Sequence, residues 1–142
     1  MSVFHKFNAF VADVGNKVHN LGADTLKILL TDIAPVATNA VKADITEIAS
    51  GNGYAAGGAA VPNNHYTQTG GTATLVGDAV VFTASGAGIA QFRYAVLYNS
   101  TPVAGNLIGW WDYGAEVNVT SGNTFTVNEN SVATGGSILT LA

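Results

Sequence analysis

The chain has 142 residues, of which 48% are hydrophobic and 10% are charged, and its net charge is −4. This length suits one domain with a continuous core, and the lack of Cys excludes disulfides and thiolate chemistry. All four Lys residues lie within the first 42 positions and a single Arg follows, so no basic patch forms on the body and nucleic-acid binding is not expected.

The first twenty residues differ from the rest of the chain. Apolar residues recur there at spacings of three and four, which favours one face of a helix: Phe4, Phe7, Phe10, Val11, Val14 and Val18. Gly15 interrupts this pattern, and Phe and Val form helices only moderately well, so a strand over residues 7–14 is an alternative. We expect residues 1–20 to form a short helix or arm, which covers the core or docks on a neighbouring subunit. Residues 21–142 are expected to form a β-sandwich domain.

A turn and a strand follow this segment. Residues 20–24 predict the turn and residues 25–31 the strand, because three apolar side chains alternate onto one face: Leu26, Ile28 and Leu30. Pro35 prevents residues 32–39 from continuing a central strand.

The next part of the chain is rich in Gly and polar residues. Residues 44–48 predict a short strand with Ile45 on one face. Residues 50–58 form the most flexible segment by composition, because Gly adopts positive φ at little cost. Residues 61–71 are expected to continue as a polar loop.

From residue 72 onward the pattern is that of short strands separated by turns. The predicted strands cover residues 72–76, 79–84, 91–99, 106–113, 117–120, 124–128 and 137–141. Gly77-Asp78 between the first two predicts a hairpin. Short strands at this spacing indicate an all-β fold, an antiparallel β-sandwich that is jelly-roll-like.

The His residues predict no metal site and no cofactor. His5, His19 and His65 share no metal-ligand spacing. His19 precedes a turn, so its ring is expected to bond backbone carbonyls there.

Asp112 and Glu116 are the one carboxylate pair that lies beside aromatic residues, the arrangement that glycoside cleavage uses. The stronger interpretation is structural. Asp112 is expected to end a strand, where Asp commonly bonds turn amides, and Glu116 to begin the next. We predict no catalytic residue and expect that the protein is not an enzyme.

Trp110 and Trp111 point to opposite faces of a regular strand. One is expected to enter the core and the other to be covered by a loop or a subunit, with stacking on a sugar as the alternative. The low charge favours burial of much of the surface against neighbours. Six large side chains are the candidate subunit contacts: Phe4, Phe7, Phe10, Tyr54, Trp110 and Trp111.

Five sequence blocks carry a family resemblance. They are T-L-K-I-L-L-T at 25–31, A-P at 34–35, D-I-T-E-I-A-S-G-N-G-Y at 44–54, F-R-Y-A-V-L-Y-N at 92–99 and L-I-G-W-W-D-Y-G at 107–114. Together, and in this order over nearly the whole chain, they resemble small virion structural proteins of tailed bacteriophages and prophages.

This resemblance implies a capsid cement, or decoration, protein made in the bacterial cytoplasm and bound to the outside of the virion head. The implied partners are the major capsid protein and the chain itself, as a dimer or trimer, with no nucleic acid and no membrane. The implied shell contacts are the N-terminal segment and residues 51–58. A tail or fibre subunit is one alternative, and a carbohydrate-binding module with an exposed Trp is the other.

Overall fold

The computed structural model describes residues 3–127 and 136–142. Strands account for 49% of the described residues and helices for 8%, so the all-β prediction is confirmed. No helix in these two ranges is long and apolar enough to cross a membrane. The elements are β1 Val3–Lys6, α1 Asn8–Gly15, β2 Leu26–Thr31, a 3₁₀ helix Lys42–Asp44, β3 Ala59–Ala60, β4 His65–Thr69, β5 Thr72–Gly77, β6 Val80–Thr83, β7 Ile89–Asn99, β8 Leu107–Val119, β9 Thr124–Val127 and β10 Gly136–Leu141.

The described strands form three antiparallel sheets. A five-stranded sheet has the order β1-β8-β7-β2-β3, a three-stranded sheet the order β10-β5-β4, and β6 pairs with β9. The predicted antiparallel sandwich is therefore confirmed. The finer jelly-roll description requires Greek-key connections, which this strand order does not establish.

The main core lies on the inner face of the five-stranded sheet. β2 contributes three fully buried side chains, Leu26, Ile28 and Leu30, which confirms the alternation predicted from the sequence. The smaller sheets close this core from the other side with Leu75, Val80, Phe82 and Val127. Burial of this apolar area is the main contribution to stability.

A second, smaller cluster covers the outer face of the same sheet: Phe7, Leu29, Tyr94, Val96, Tyr98, Leu107 and Trp110. Residues 32–48 form a long loop over this face, and Ile45 packs onto it. The ends of the loop meet at β2, where the Ile48 N–H donates to the Leu30 carbonyl at 3.1 Å. A compact loop with joined ends therefore shields the outer cluster from water.

The strand predicted over residues 44–48 is wrong. The 3₁₀ helix Lys42–Asp44 begins the segment, and irregular backbone follows. The Asp44 carboxylate accepts the N–H groups of Ala40 and Val41 at 2.9 and 3.2 Å. These bonds lower the pKa of Asp44 and favour a tight turn over an extended strand.

The N-terminal segment contains both a strand and a helix. β1 pairs with the edge of β8, with Phe4 opposite Trp111. The chain then turns into α1, and Phe7 and Phe10 are fully buried. Residues 3–6 are thus an integral edge strand of the five-stranded sheet, and α1 packs on its core.

The hairpin predicted at Gly77-Asp78 is wrong. β5 pairs with β4 and β10, whereas β6 pairs with β9, so the chain crosses between sheets at this point. The local hairpin is β4–β5, whose turn residues Gly70 and Gly71 have φ values of 60° and 86°. Positive φ at both positions suits a type I′ turn. The polar loop expected over residues 61–71 therefore contains β4.

Candidate functional site

The described parts of the chain hold no group of three or more His, Asp or Glu side chains arranged to bind a metal ion. Side-chain polar groups gather at three places instead. One is a carboxylate beneath residues 51–58, one is an ion pair on β7 and β8, and one is a buried imidazole at the end of α1. These places are the candidates for chemistry.

Glu47 anchors the loop of residues 51–58. Its Oε1 accepts the Tyr54 hydroxyl and the Gly57 N–H, both at 2.5 Å, and its Oε2 lies 3.4 Å from Lys42 Nζ. The Tyr54 oxygen also accepts the Leu30 N–H at 3.1 Å. Burial and the bond to Glu47 raise the pKa of Tyr54, so this phenol stays protonated and serves as a donor.

The glycines of this loop allow close backbone contact. A Cβ at Gly53 would lie 1.9 Å from the Thr83 carbonyl oxygen, and one at Gly58 would lie 1.8 Å from that of Ile28. Both glycines have positive φ. The glycine-rich composition predicted a flexible segment. In the structure these glycines instead allow the loop to pack closely against the sandwich, and Glu47 holds it by hydrogen bonds.

The Asp112–Glu116 pair does not converge on a common point. Arg93 holds Asp112 through two hydrogen bonds of 2.8 and 3.1 Å, and the Gly114 N–H donates to the same carboxylate at 2.8 Å. The Arg93 hydrogen bond lowers the pKa of Asp112, which keeps it ionised and unsuited to act as a general acid. Glu116 bonds Gln91 instead.

The two strands predicted around this pair are one continuous strand. β8 spans Leu107–Val119, so Asp112 lies within it and does not end a strand. Gly114 has a φ of 80°, and the β7–β8 register shifts nearby, so the strand bends without ending. Asp112 does accept a backbone amide, the Gly114 N–H, but this amide lies within β8 and not in a turn.

Trp110 and Trp111 point to opposite faces of β8, as predicted. Trp111 lies in the main core, 5.0 Å from the Phe4 ring. Trp110 lies on the outer face between Phe7 at 4.5 Å and His5, which stacks on it at 5.0 Å. Trp110 is 9% exposed and Trp111 is 7% exposed, so neither offers a free ring face to a sugar.

Five of the six predicted subunit contacts are buried inside one chain: Phe7, Phe10, Tyr54, Trp110 and Trp111. Phe4 is half-buried and packs on the main core. In this conformation these side chains pack within one chain, and their role as subunit contacts stays a prediction.

The end of α1 places His19 in the interior. Lys17 has a φ of 62°, and the Val18 N–H donates to the Asp13 carbonyl at 3.0 Å. The Lys17 N–H reaches the Val14 carbonyl at 3.4 Å. This pattern is a Schellman motif, which reverses the chain direction and brings His19 back toward Asp13.

His19 contacts side chains and not the backbone carbonyls predicted from the sequence. Its Nδ1 lies 3.1 Å from Asn99 Nδ2, and its Nε2 lies 3.9 Å from Asp13 Oδ2. Burial lowers the pKa of His19, although Asp13 and Asp24 oppose this shift. No local pattern could have predicted the contact, because Asn99 lies 80 positions away in sequence.

Six large apolar side chains of the described residues are exposed, and four of them lie on segments that hydrogen bonds join. We define the exposed apolar surface as Val11 (58% exposed), Ile33 (60%), Val36 (54%) and Val103 (107%). Hydrogen bonds join the segments that carry them. Asn8 N–H donates to the Ala37 carbonyl at 2.9 Å, and Lys42 N–H to the Gly105 carbonyl at 2.9 Å.

No family model, curated protein sequence or solved structure matches the chain. The absence of an enzymatic role therefore stays a prediction, and any function must be argued from the fold and from these sites.

Proposed function

We propose that the protein is a tailed-bacteriophage virion structural protein, a capsid cement protein that binds the outside of the head shell. The exposed apolar surface carries this proposal. Branched apolar side chains that stay exposed together on adjoining segments favour contact with a partner. Burying them against a shell removes apolar area from water at about 25 cal/mol per Å², less the cost of association.

The arrangement of the polar groups supports a structural role. Glu47 holds a loop, Arg93 and Asp112 tie two strands, and His19 lies inside the fold with no exposed side-chain surface. Each group is used to hold segments of the chain together.

The blocks that carry the family resemblance also contain residues that hold segments of the fold together. Ile45, Glu47 and Tyr54 secure the loops on either side of the five-stranded sheet, and Trp110 and Trp111 fill its two faces. The resemblance therefore lies in residues that maintain the fold, which suits proteins whose task is to present a rigid surface.

Stabilisation of the shell by this protein follows from mass action. A subunit that binds the assembled shell but not free capsid subunits stabilises the shell. At a free concentration about a hundred-fold above Kd, this amounts to about 2.7 kcal/mol per site. A dimer or trimer on a symmetry axis would add avidity through several contacts with the major capsid protein.

Reconstitution on heads tests the proposal. Heads of the parent phage that lack the protein are mixed with wild type, with a variant carrying Val11→Ser, Ile33→Ser, Val36→Ser and Val103→Ser, and with Val81→Ser. Val81 is 52% exposed on β6, which pairs with β9 outside the five-stranded sheet, and is the matched control. Co-sedimentation and the melting temperature of the shell are then measured.

We expect wild type and Val81→Ser to sediment with heads and to raise their melting temperature. The fourfold variant should keep its own fold, by circular dichroism, and lose both effects. Binding to purified tails with none to heads would instead identify a tail or fibre subunit. Retention on a glycan array that is lost with Trp110→Ala, but kept by the fourfold variant, would support the carbohydrate-binding alternative.

A further inference from the structure

The hydrogen bonds around Asn99 fix the protonation state of buried His19. Asn99 Oδ1 accepts the Thr101 N–H at 3.1 Å, which orients the amide. Asn99 Nδ2 therefore donates to Asp24 Oδ2 at 2.6 Å and faces His19 Nδ1 at 3.1 Å. An amide nitrogen only donates, so His19 Nδ1 must accept, and the neutral ring carries its proton on Nε2.

The other ring nitrogen has no hydrogen-bond partner among the residues that the structure describes. His19 Nε2 is buried, and Asp13 Oδ2, 3.9 Å away, is too distant to accept its proton. Asp13 instead accepts Asn106 Nδ2 at 3.0 Å. The imidazole is thus held mainly by its acceptor contact with Asn99 and by packing against Phe10, whose ring centroid is 5.4 Å away.

A cavity of about 550 Å³ lies beside the ring. It is lined by Val14, Lys17, His19, Asn20, Leu21, Gly22 and Tyr66. The titratable groups around His19 are Asp13 from α1, Asp24 from the following turn, and Lys17 and Tyr66 at the cavity wall. The cavity gives the segment of residues 17–24 space into which it can move.

Protonation is incompatible with this arrangement. A second ring proton would sit on Nδ1 and meet the N–H₂ group of Asn99, so two donors would face each other at 3.1 Å. Rotation of the amide would exchange its nitrogen and oxygen and break the bonds to Thr101 and Asp24. The charged ring must therefore move away from β7.

We propose that His19 is a proton-operated latch, which holds residues 17–24 and the end of α1 on β7 when neutral and releases them when protonated. The latch is independent of the proposed cement function, because it concerns the fold of one chain.

The direction of the pH effect follows from burial. Burial lowers the pKa of His19 below its ordinary value of 6.5, so the unfolded chain binds the proton more readily. Neutral His19 therefore makes its full contribution to the free energy of unfolding above pH 6.5. This contribution is lost as the pH falls from 6.5 through the pKa of His19 in the folded chain.

Two measurements on the full chain test the latch. NMR titration follows the His19 ring, with His5 and His65 as reference resonances in the same sample. Amide exchange is compared at about pH 7.5 and about pH 5.5, on either side of the ordinary His value, after correction for intrinsic rates. We expect a titration midpoint below 6.5 and a selective rise in exchange over residues 13–25 at the lower pH.

A swap variant inverts the prediction. Asn99→Asp combined with Asp24→Asn keeps a donor and an acceptor between these positions and places a carboxylate opposite Nδ1. The titration midpoint should then rise above 6.5, and the acid-induced exchange should disappear. His19→Gln should also remove the pH dependence.

A wild-type midpoint above 6.5, or unchanged exchange over residues 13–25, would overturn the proposal. Because both readouts use wild-type protein, the test stands even if the swap variant does not fold.

Discussion

Lys17 occupies a backbone conformation that favours glycine. Its φ of 62° follows α1 at the position where a Schellman motif commonly has Gly. A Cβ there costs about 1 kcal/mol, so Lys17→Gly should raise the free energy of unfolding by up to about 1 kcal/mol in urea titrations. Lys17→Ala removes the charge but keeps the Cβ and is the control. Equal stability of the two variants would contradict this explanation.

The Tyr54 hydroxyl joins three segments at a buried point. It accepts from Leu30 N–H and donates to Glu47. Tyr54→Phe keeps the ring but leaves the Leu30 N–H unsatisfied and removes one of the two hydrogen bonds to Glu47 Oε1, so we expect a loss of about 1–3 kcal/mol in unfolding free energy. Tyr66→Phe is the matched control, because the Tyr66 hydroxyl makes no hydrogen bond to the described residues, and its effect should be near zero. If the Tyr54→Phe variant were as stable as the control, the hydrogen bonds of the Tyr54 hydroxyl would not contribute to the unfolding free energy.

At the level of elements, β1 depends on the absence of a side chain at Gly109. A Cβ there would lie 2.3 Å from Phe4 Cζ and 2.6 Å from the His5 carbonyl oxygen. Gly109→Val should therefore displace β1 and raise amide exchange over residues 3–6, at a cost of about 1–3 kcal/mol. Gly15→Ala, where nothing lies within 4 Å, should leave both quantities nearly unchanged.

A second substitution separates the two contacts of Gly109. Phe4→Ala removes the ring but not the His5 carbonyl, so adding it to Gly109→Val should cost less than the sum of the single changes. Strict additivity in a double-mutant cycle would mean that the ring and the new side chain do not meet.

Local patterns in the sequence predicted strands better than they predicted partners. The alternation of Leu26, Ile28 and Leu30 is a property of one segment, and the structure confirms it. β6 pairs with β9, which lies far away in sequence, so the hairpin predicted at Gly77-Asp78 does not form. The Gly70-Gly71 dipeptide was an equally strong hairpin signal and marks the true turn.

At the scale of the whole molecule, the sequence again predicts contacts within a segment better than contacts between distant segments. Glu47 bonds Tyr54 and Gly57, which lie within ten positions of it, so a local sequence pattern could have indicated these contacts. The His19 latch joins the N-terminal segment to the end of β7, and only the folded chain brings these together. Likewise, the six large side chains proposed as contacts were conspicuous, but size and apolarity alone do not distinguish a core from an interface.

The topology also predicts how the chain folds. Phe4 pairs with Trp111, Leu29 with Val96 and Leu139 with Leu75, so each sheet closes long loops. Folding dominated by such contacts takes about milliseconds to seconds. β1 is an edge strand that pairs with a distant segment, so we expect it to add after the central strands have formed.

Phe4→Ala should therefore lower stability by about 2 kcal/mol, mainly by accelerating unfolding. Val96→Ala, at the centre of β7, should instead slow folding, because β7 pairs with both β2 and β8. Stopped-flow fluorescence of Trp110 and Trp111 in urea measures the folding rate and the unfolding rate of each variant. If Phe4→Ala slowed folding and left the unfolding rate unchanged, β1 would belong to the folding nucleus. The N-terminal segment would then be required for the sandwich to form and would not be a late addition to it.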